Sequence, residues 1–422
     1  MQVFGKLVRA VIESYGQLLF DPATGFLFLV VLVIVGIQYA RIESNEKRTF
    51  GQAFNKALPQ MVKAVAFGLL GGLVSSTVLV VVGVAVTDNS VQYMLPIALL
   101  LYFVNPRFLC FSYAGGILSI CHLITGWPQV NVPMVTGLVA CLHAVESLLI
   151  SLSGSSCASP VILKRKEGEV VGGFVLQRFW PVPLIVLLLA LLPENSVPAG
   201  ELITLPDWWP LLRTPIPRGP GIPVFQTLLV IAGLGYSDLA LTTTPEERSR
   251  ETSRALAVYS VTLRALSILS SHISSVRWAA ALFAPLAHEF VIWMGIRKER
   301  QGKPYYVSVE GVGATVLAIV RDSEAERAGL ERGNVITSIC GMPVTRESLA
   351  GLRQMDEVTL EVAKSPANPE RRVIHLSRKD DTPFGFFTAP LPGDQPMMEL
   401  RRHGPLLAFL RRALSKILRK SG

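Results

Sequence analysis

Long apolar runs alternate with short polar stretches along the first three hundred residues, and then the pattern changes. The runs lie at about Phe26 to Ala40, Met61 to Val86, Tyr93 to Val104, Phe108 to Leu123, Val132 to Leu152, Phe179 to Leu192, Val224 to Ala240, Ala255 to Ile273 and Trp278 to Ile296. A helix needs about 20 apolar residues to cross the hydrocarbon core upright, so the shorter runs predict tilted or re-entrant helices and about seven to nine spans. The predicted fold of residues 25–296 is an α-helical polytopic membrane domain. Before it, within residues 1–24, Phe4, Leu7, Val8, Val11, Tyr15, Leu18 and Leu19 share one face of an amphipathic helix. After it, residues 301–390 show the shorter alternation of a small α+β domain, and residues 391–422 end in a second amphipathic helix.

Composition agrees with the pattern. Half of the residues are hydrophobic, 17% are charged and the mean hydropathy is +0.44, more apolar sequence than a water-soluble core uses. Cys110, Cys121, Cys141, Cys157 and Cys340 show no CxxC spacing and read as small apolar side chains, so neither a disulfide framework nor a zinc knuckle is predicted. Lys6, Arg9, Glu13 and Asp21 precede the first long apolar run, which argues against a cleavable signal peptide.

Basic residues set the orientation. They cluster in Arg41 to Lys63, Lys164 to Arg178, Arg248 to Arg254 and Arg297 to Lys303. Thr87 to Gln92 and Thr125 to Asn131 have none, and Pro193 to Pro223 has only Arg213 and Arg218 beside the interfacial pair Trp208 and Trp209. Positive loops stay inside, so residues 301–422 are predicted to be cytoplasmic; eight spans, with one short run re-entrant, place Met1 there too. In the tail, Leu406, Leu410, Leu414 and Ile417 oppose Arg411, Arg412, Lys416, Arg419 and Lys420, a pattern suited to the headgroup layer of anionic lipid. The net charge of +9 is what such loops produce, and nothing in these residue types points to nucleic acid.

Residues 311–343 carry the clearest local signal. The β-branched run Thr315 to Val320 leads to a helical turn at Ala325 to Ala328, then Gly329, Leu330 and the tight turn at Gly333; a strand at Val335 to Ile339 ends on Gly341, Met342 and Pro343. This order resembles the SPA..AGL..GD.I...NG.P signature of bacterial PDZ domains, with Asn334 in place of the usual Asp. That resemblance implies a peptide groove between a binding strand at about Val307 to Glu310, Val309 included, and a helix at about Arg346 to Gln354 with Leu349 and Leu352 inward. The usual Gly-rich carboxylate cradle is replaced by Lys303-Pro304-Tyr305-Tyr306, which offers bulk and one N–H fewer, so internal strands or a folded surface are the expected ligands.

Catalytic signals are few. His288-Glu289 invites comparison with the HExxH of intramembrane zinc proteases, but Ile292 stands where the second His would be. His143 and Glu146, three apart on one helical face, could approach His288 and Glu289 as an interhelical polar cluster; Asp238, Arg264 and Arg107 lie near segment ends and could snorkel. No GxSxG elbow, P-loop or strand-to-helix GxGxxG is present, so no enzyme, cofactor or resident metal is predicted.

Asn105 to Gly116, His122 to Pro128, Gly235 to Ala240 and the His288-Glu289 run leading into the PDZ-like segment together resemble the MinJ family, division-site topology proteins of Gram-positive bacteria, over roughly residues 20 to 380. The resemblance implies a scaffold at septum and poles, recruited by the curvature-sensing protein DivIVA and passing on MinD, the membrane ATPase that controls FtsZ assembly. An intramembrane metallopeptidase or inactive relative and a transport accessory are the alternatives, and homo-oligomerisation stays open.

Overall fold

A computed structural model of the chain describes residues 2–17, 21–86, 90–165, 168–193, 209–212, 219–365, 368–378 and 382–397. The basic tail helix expected at Leu406 to Leu418, and Trp208 of the expected aromatic pair, lie outside these residues.

Helix α1 (Gln2–Gln17) precedes α2 (Pro22–Phe50), which starts where the Asp21 carboxylate accepts from Thr24 N–H at 2.9 Å and ends on Gly51 in the left-handed region. Helix α3 (Ala57–Val82) leads through β1 (Ala85–Val86) to α4 (Ser90–Val104), α5 (Phe111–Thr125) and α6 (Val132–Ser153). Strands β2 (Ala158–Lys164), β3 (Val170–Leu192) and β4 (Ile222–Ala240) then form a four-stranded sheet with β1 before α7 (Pro245–His272) and α8 (Val276–Gln301) close this half. Among the described residues α2, α3, α6 and α8 are long and apolar enough to cross a membrane. Helices α4 and α5, 15 residues each, are too short to do so upright. The run expected at Ala255 to Ile273 lies in α7, whose capping box at Thr244 and Glu247 starts the helix in a charged segment three turns earlier.

Two expected spans are not helices. The runs at Phe179 to Leu192 and Val224 to Ala240 lie in β3 and β4, paired antiparallel from Phe174 with Ala240 to Leu192 with Ile222. Proline inside a helix costs about 3 kcal/mol, and Pro181 and Pro183 sit two apart in the first run; Gly233 and Gly235 weaken a helix in the second.

The far edge of β3 pairs with β2 up to Leu176 and with β1 at Leu187 and Leu188, and between them no strand among the described residues covers it. Helices α1, α2 and α3 cover it instead. Tyr39 Oη accepts from Phe179 N–H and donates to its carbonyl, both at 3.2 Å. Ser76 Oγ accepts from Ile185 N–H at 2.8 Å, and the Tyr15 hydroxyl donates to the Pro183 carbonyl. The two prolines fall on the same alternating set and have no N–H to satisfy. Gly68 and Gly72 let α3 lie directly on this edge: an added Cβ would come 2.1 Å from the Pro181 oxygen and 2.2 Å from the Pro183 oxygen. Arg178, counted with the basic loop from sequence, is fully buried beside Trp180 and donates to Gln60 at 2.8 Å.

The carboxy-terminal unit contains β5 (Ala314–Ile319), α9 (Glu324–Arg327), β6 (Val335–Ile339), β7 (Met342–Pro343), α10 (Arg346–Gly351), β8 (Glu357–Ser365), β9 (Asn368–Ser377) and β10 (Phe386–Thr388). Its sheet has the order β10-β5-β6-β8-β9, with β7 on β6. Val316, Leu330, Ile336, Ile339, Val344, Leu360 and Val362 make its core. Asn334 is buried and donates from Nδ2 to the Lys364 carbonyl at 3.1 Å, a bond that aspartate in that position could not form when ionised.

This unit sits on the helix-and-sheet half. Tyr305 N–H donates to the Leu241 carbonyl at 2.9 Å, Phe387 packs edge-on against Phe50 and Phe54, and Arg332 pairs with Glu246 at 2.8 Å. At the same corner Arg248 grips Asp238 with two bonds of 2.9 and 3.0 Å, and Glu299, 1% exposed, accepts from Leu241 and Thr242 N–H at 2.6 and 2.8 Å while lying 3.8 Å from Arg248.

Candidate functional site

Two places gather residues with chemistry. The first lies between α5, α6 and α8. Cys110 caps α5, receiving Ser112 N–H on its sulfur at 3.4 Å; His143 sits mid-way along α6 and His288 mid-way along α8, three residues after Pro285. Cys110 Sγ is 3.2 Å from His143 Nε2 and 3.7 Å from His288 Nε2, and the two rings lie 5.0 Å apart. Glu146, one turn beyond His143, brings Oε2 to 3.9 Å from Nε2. Tyr259 and Tyr113 pack edge-on around the imidazoles, and the Tyr259 hydroxyl is held by Ser112 at 2.7 Å and the Ala284 carbonyl at 3.0 Å.

The structure brings His143, Glu146 and His288 into one neighbourhood, but Glu289 turns away. It pairs with Arg107 at 2.7 Å and accepts from the Tyr113 hydroxyl at 2.6 Å, so Arg107 is an ion-pair partner rather than a snorkelling side chain. Asp238 belongs to the distant Arg248 corner, where Thr252 also donates to it at 2.6 Å, and Arg264 lies against the Cys141 sulfur. Cys110 is the member that sequence reasoning missed, because a lone cysteine in an apolar run looks like packing.

The second place is the segment after α8. Val307 to Glu310 does not form the expected strand: Val309 bridges Gly313, and the Thr315 hydroxyl donates to the Val307 carbonyl at 2.5 Å. Tyr305, Val307 and Val309 point outward, 51%, 51% and 47% exposed, on the solvent side of the segment. Tyr306 takes the other face. It is 3% exposed and packs on Phe174 at 5.6 Å, so it cannot meet a ligand from solvent, and burial pushes its phenol above the usual range, keeping it neutral. Leu352 is buried and Leu349 half-buried, both packed into the unit's own core.

No protein-family model matches the chain, and no solved structure matches it. A curated relative does. A match 23% identical over 354 residues covers 80% of this chain and 83% of the other protein. That share exceeds what the chain holds up to the end of α8 at Gln301, so the likeness takes in residues of both the helix-and-sheet half and the carboxy-terminal unit. The chain is therefore similar, through both of its halves, to the cell division topological determinant MinJ of Bacillus subtilis (strain 168).

Proposed function

We propose that the chain is a non-catalytic, multi-pass membrane scaffold for division-site selection, which gathers regulators of the DivIVA and MinD type at septum and poles through its cytoplasmic loops and a PDZ-like carboxy-terminal domain. The likeness to MinJ across four-fifths of the chain carries this reading. The four apolar helices supply an anchor and the sheet unit behind α8 supplies a docking module. Glu289, held by Arg107 and Tyr113, is not free to activate water as a peptidase glutamate would, which supports a role without catalysis. The basic tail residues Arg411, Arg412, Lys416, Arg419 and Lys420 would add affinity for anionic lipid.

Docking falls to Tyr305, Val307 and Val309, whose exposed apolar face borders the sheet. A fluorescent fusion of the full chain should form a septal band in dividing cells. Val307→Asp with Val309→Asp, at two half-exposed side chains, should keep membrane localisation and lower septal enrichment by about tenfold, the effect of unpaired charge at an interface centre. An even membrane stain for the parent removes the scaffold reading, and a normal band for the variant removes this docking face.

Topology has its own test. In a chain carrying Cys121→Ser, a cysteine placed at Ser196 should react with an impermeant maleimide added to intact cells, whereas the exposed native Cys340 should react only after lysis. The reverse pattern would put the sheet unit outside and end the cytoplasmic docking scheme.

A further inference from the structure

We propose that Cys110, His143 and His288, with Glu146 as the fourth ligand, form a closed structural site for a zinc-class divalent cation that ties α5, α6 and α8 together. The three ligand atoms from cysteine and histidine all lie within 4.8 Å of one another. Bonds of about 2.3 Å to sulfur and about 2.0–2.1 Å to nitrogen at tetrahedral angles set ligand atoms about 3.4–3.6 Å apart. The 3.2 and 3.7 Å separations from Cys110 Sγ to the two imidazole nitrogens already bracket that spacing. Glu146 Oε2 lies 3.9 Å from His143 Nε2 but outside the mutual 4.8 Å of the other three ligand atoms, so its carboxylate must turn toward Cys110 and His288 to close the set.

Proton accounting points the same way. His143 Nδ1 lies 2.8 Å from the Val139 carbonyl, which can only accept, so Nδ1 carries the proton and Nε2 presents a lone pair. This is the arrangement that fixes a metal-binding histidine. The Cys110 thiol has one proton for two neighbouring imidazoles. If it donates to His143 while His288 carries its proton on Nδ1, His288 Nε2 and the sulfur face each other lone pair to lone pair. Such unpaired polar atoms are costly inside a membrane protein. A cation accepts all three lone pairs at once.

Ligand type and charge select the ion. One thiolate, two imidazoles and one carboxylate in a tetrahedral set suit zinc rather than calcium or magnesium, which take oxygen ligands. The Cys110 thiolate and the Glu146 carboxylate together neutralise the dication, so the filled site carries no net charge into an apolar bundle. With four protein ligands no position is left for water, so the site is structural and stands apart from the scaffold reading above.

The test uses the full chain in detergent, purified through a tag that contains no histidine. Titrated with cobalt(II), it should take up about one ion per chain and show thiolate-to-cobalt charge transfer in the near ultraviolet with the intense visible bands of a tetrahedral centre, all displaced by zinc. Cys110→Ser should lose the charge-transfer band, and Glu146→Gln should weaken binding by about tenfold or more while keeping it. Uptake by the parent chain below about 0.1 ion, a spectrum without the thiolate band, or an unchanged spectrum in Cys110→Ser each overturns the proposal. The first two readings come from the parent chain, so a variant that fails to fold does not shield the idea.

Discussion

Arg248→Ala should cost the protein about 3–5 kcal/mol, because it removes the guanidinium that the buried Asp238 and Glu299 carboxylates share. The side chains of Arg248 and Asp238 are 6% and 13% exposed, and Glu299 Oε1 lies 3.8 Å from the same guanidinium with no hydrogen bond of its own. Without Arg248, Asp238 keeps Thr252, Tyr236 and the Leu239 N–H, and Glu299 keeps two backbone N–H groups, but both carboxylates lose the positive charge that offsets their burial. The corner joins the end of β4, the start of α7 and the end of α8, and the next residues along carry the Tyr305 contact that seats the carboxy-terminal unit. The midpoint of thermal unfolding, read by size-exclusion chromatography of detergent extracts, should therefore fall by several degrees, and on the proposed scaffold function septal recruitment should fall with it. Asp238→Ala with Arg248→Ala should cost less than the two single changes added together, since the pair leaves no lone charge between them. A variant that melts with the parent would show the corner to be a solvated pair of little consequence.

Legibility in the sequence followed chemistry that is local. Val335 to Ile339 could be read residue for residue, because an alternating strand stands between two glycines, Gly333 and Gly341, that both adopt positive φ. Helices α2, α3, α6 and α8 could be read because each apolar run is long enough to span, although Pro285 and His288-Glu289 interrupt the run in α8. Strands β3 and β4 were misread for a physical reason. A strand covered on both faces, as β3 is, shows a continuous apolar run, which hydropathy alone cannot tell from a helix, and Pro181 with Pro183 held the corrective signal; β4 is apolar but largely exposed. At the candidate site, His143, Glu146 and His288 stood out as polar residues in apolar runs. Cys110 did not, being small and apolar itself, and Arg107 lies far from Glu289 in sequence, so only the fold could pair them. Tyr306 shows a different limit: alternation separates the two faces of residues 305–309 but does not say which face meets Phe174.

Gly72→Val should be the most damaging single methyl-scale change in α3, while Gly233→Val in β4 should be tolerated. At Gly72 an added Cβ would lie 2.0 Å from the Tyr15 hydroxyl and 2.2 Å from the Pro183 oxygen. The tyrosine can swing aside, but the carbonyl belongs to a backbone fixed by its pairing with β4, so α3 and β3 must separate. Separation breaks the bond from Ile185 N–H to Ser76 and the contact of Tyr15 with Pro183, and each buried group left unpaired costs about 1–3 kcal/mol beyond the overpacking itself. At Gly233 nothing lies within 4 Å of an added Cβ, and valine favours the extended backbone already present. Folded yield in membranes, read by in-gel fluorescence of a fusion, should therefore drop about tenfold or more for Gly72→Val and stay near the parent for Gly233→Val. Equal yields would mean that α3 does not lie on this strand edge, and the reverse order would mean that residues 222–240 form a helix whose packing needs the glycine.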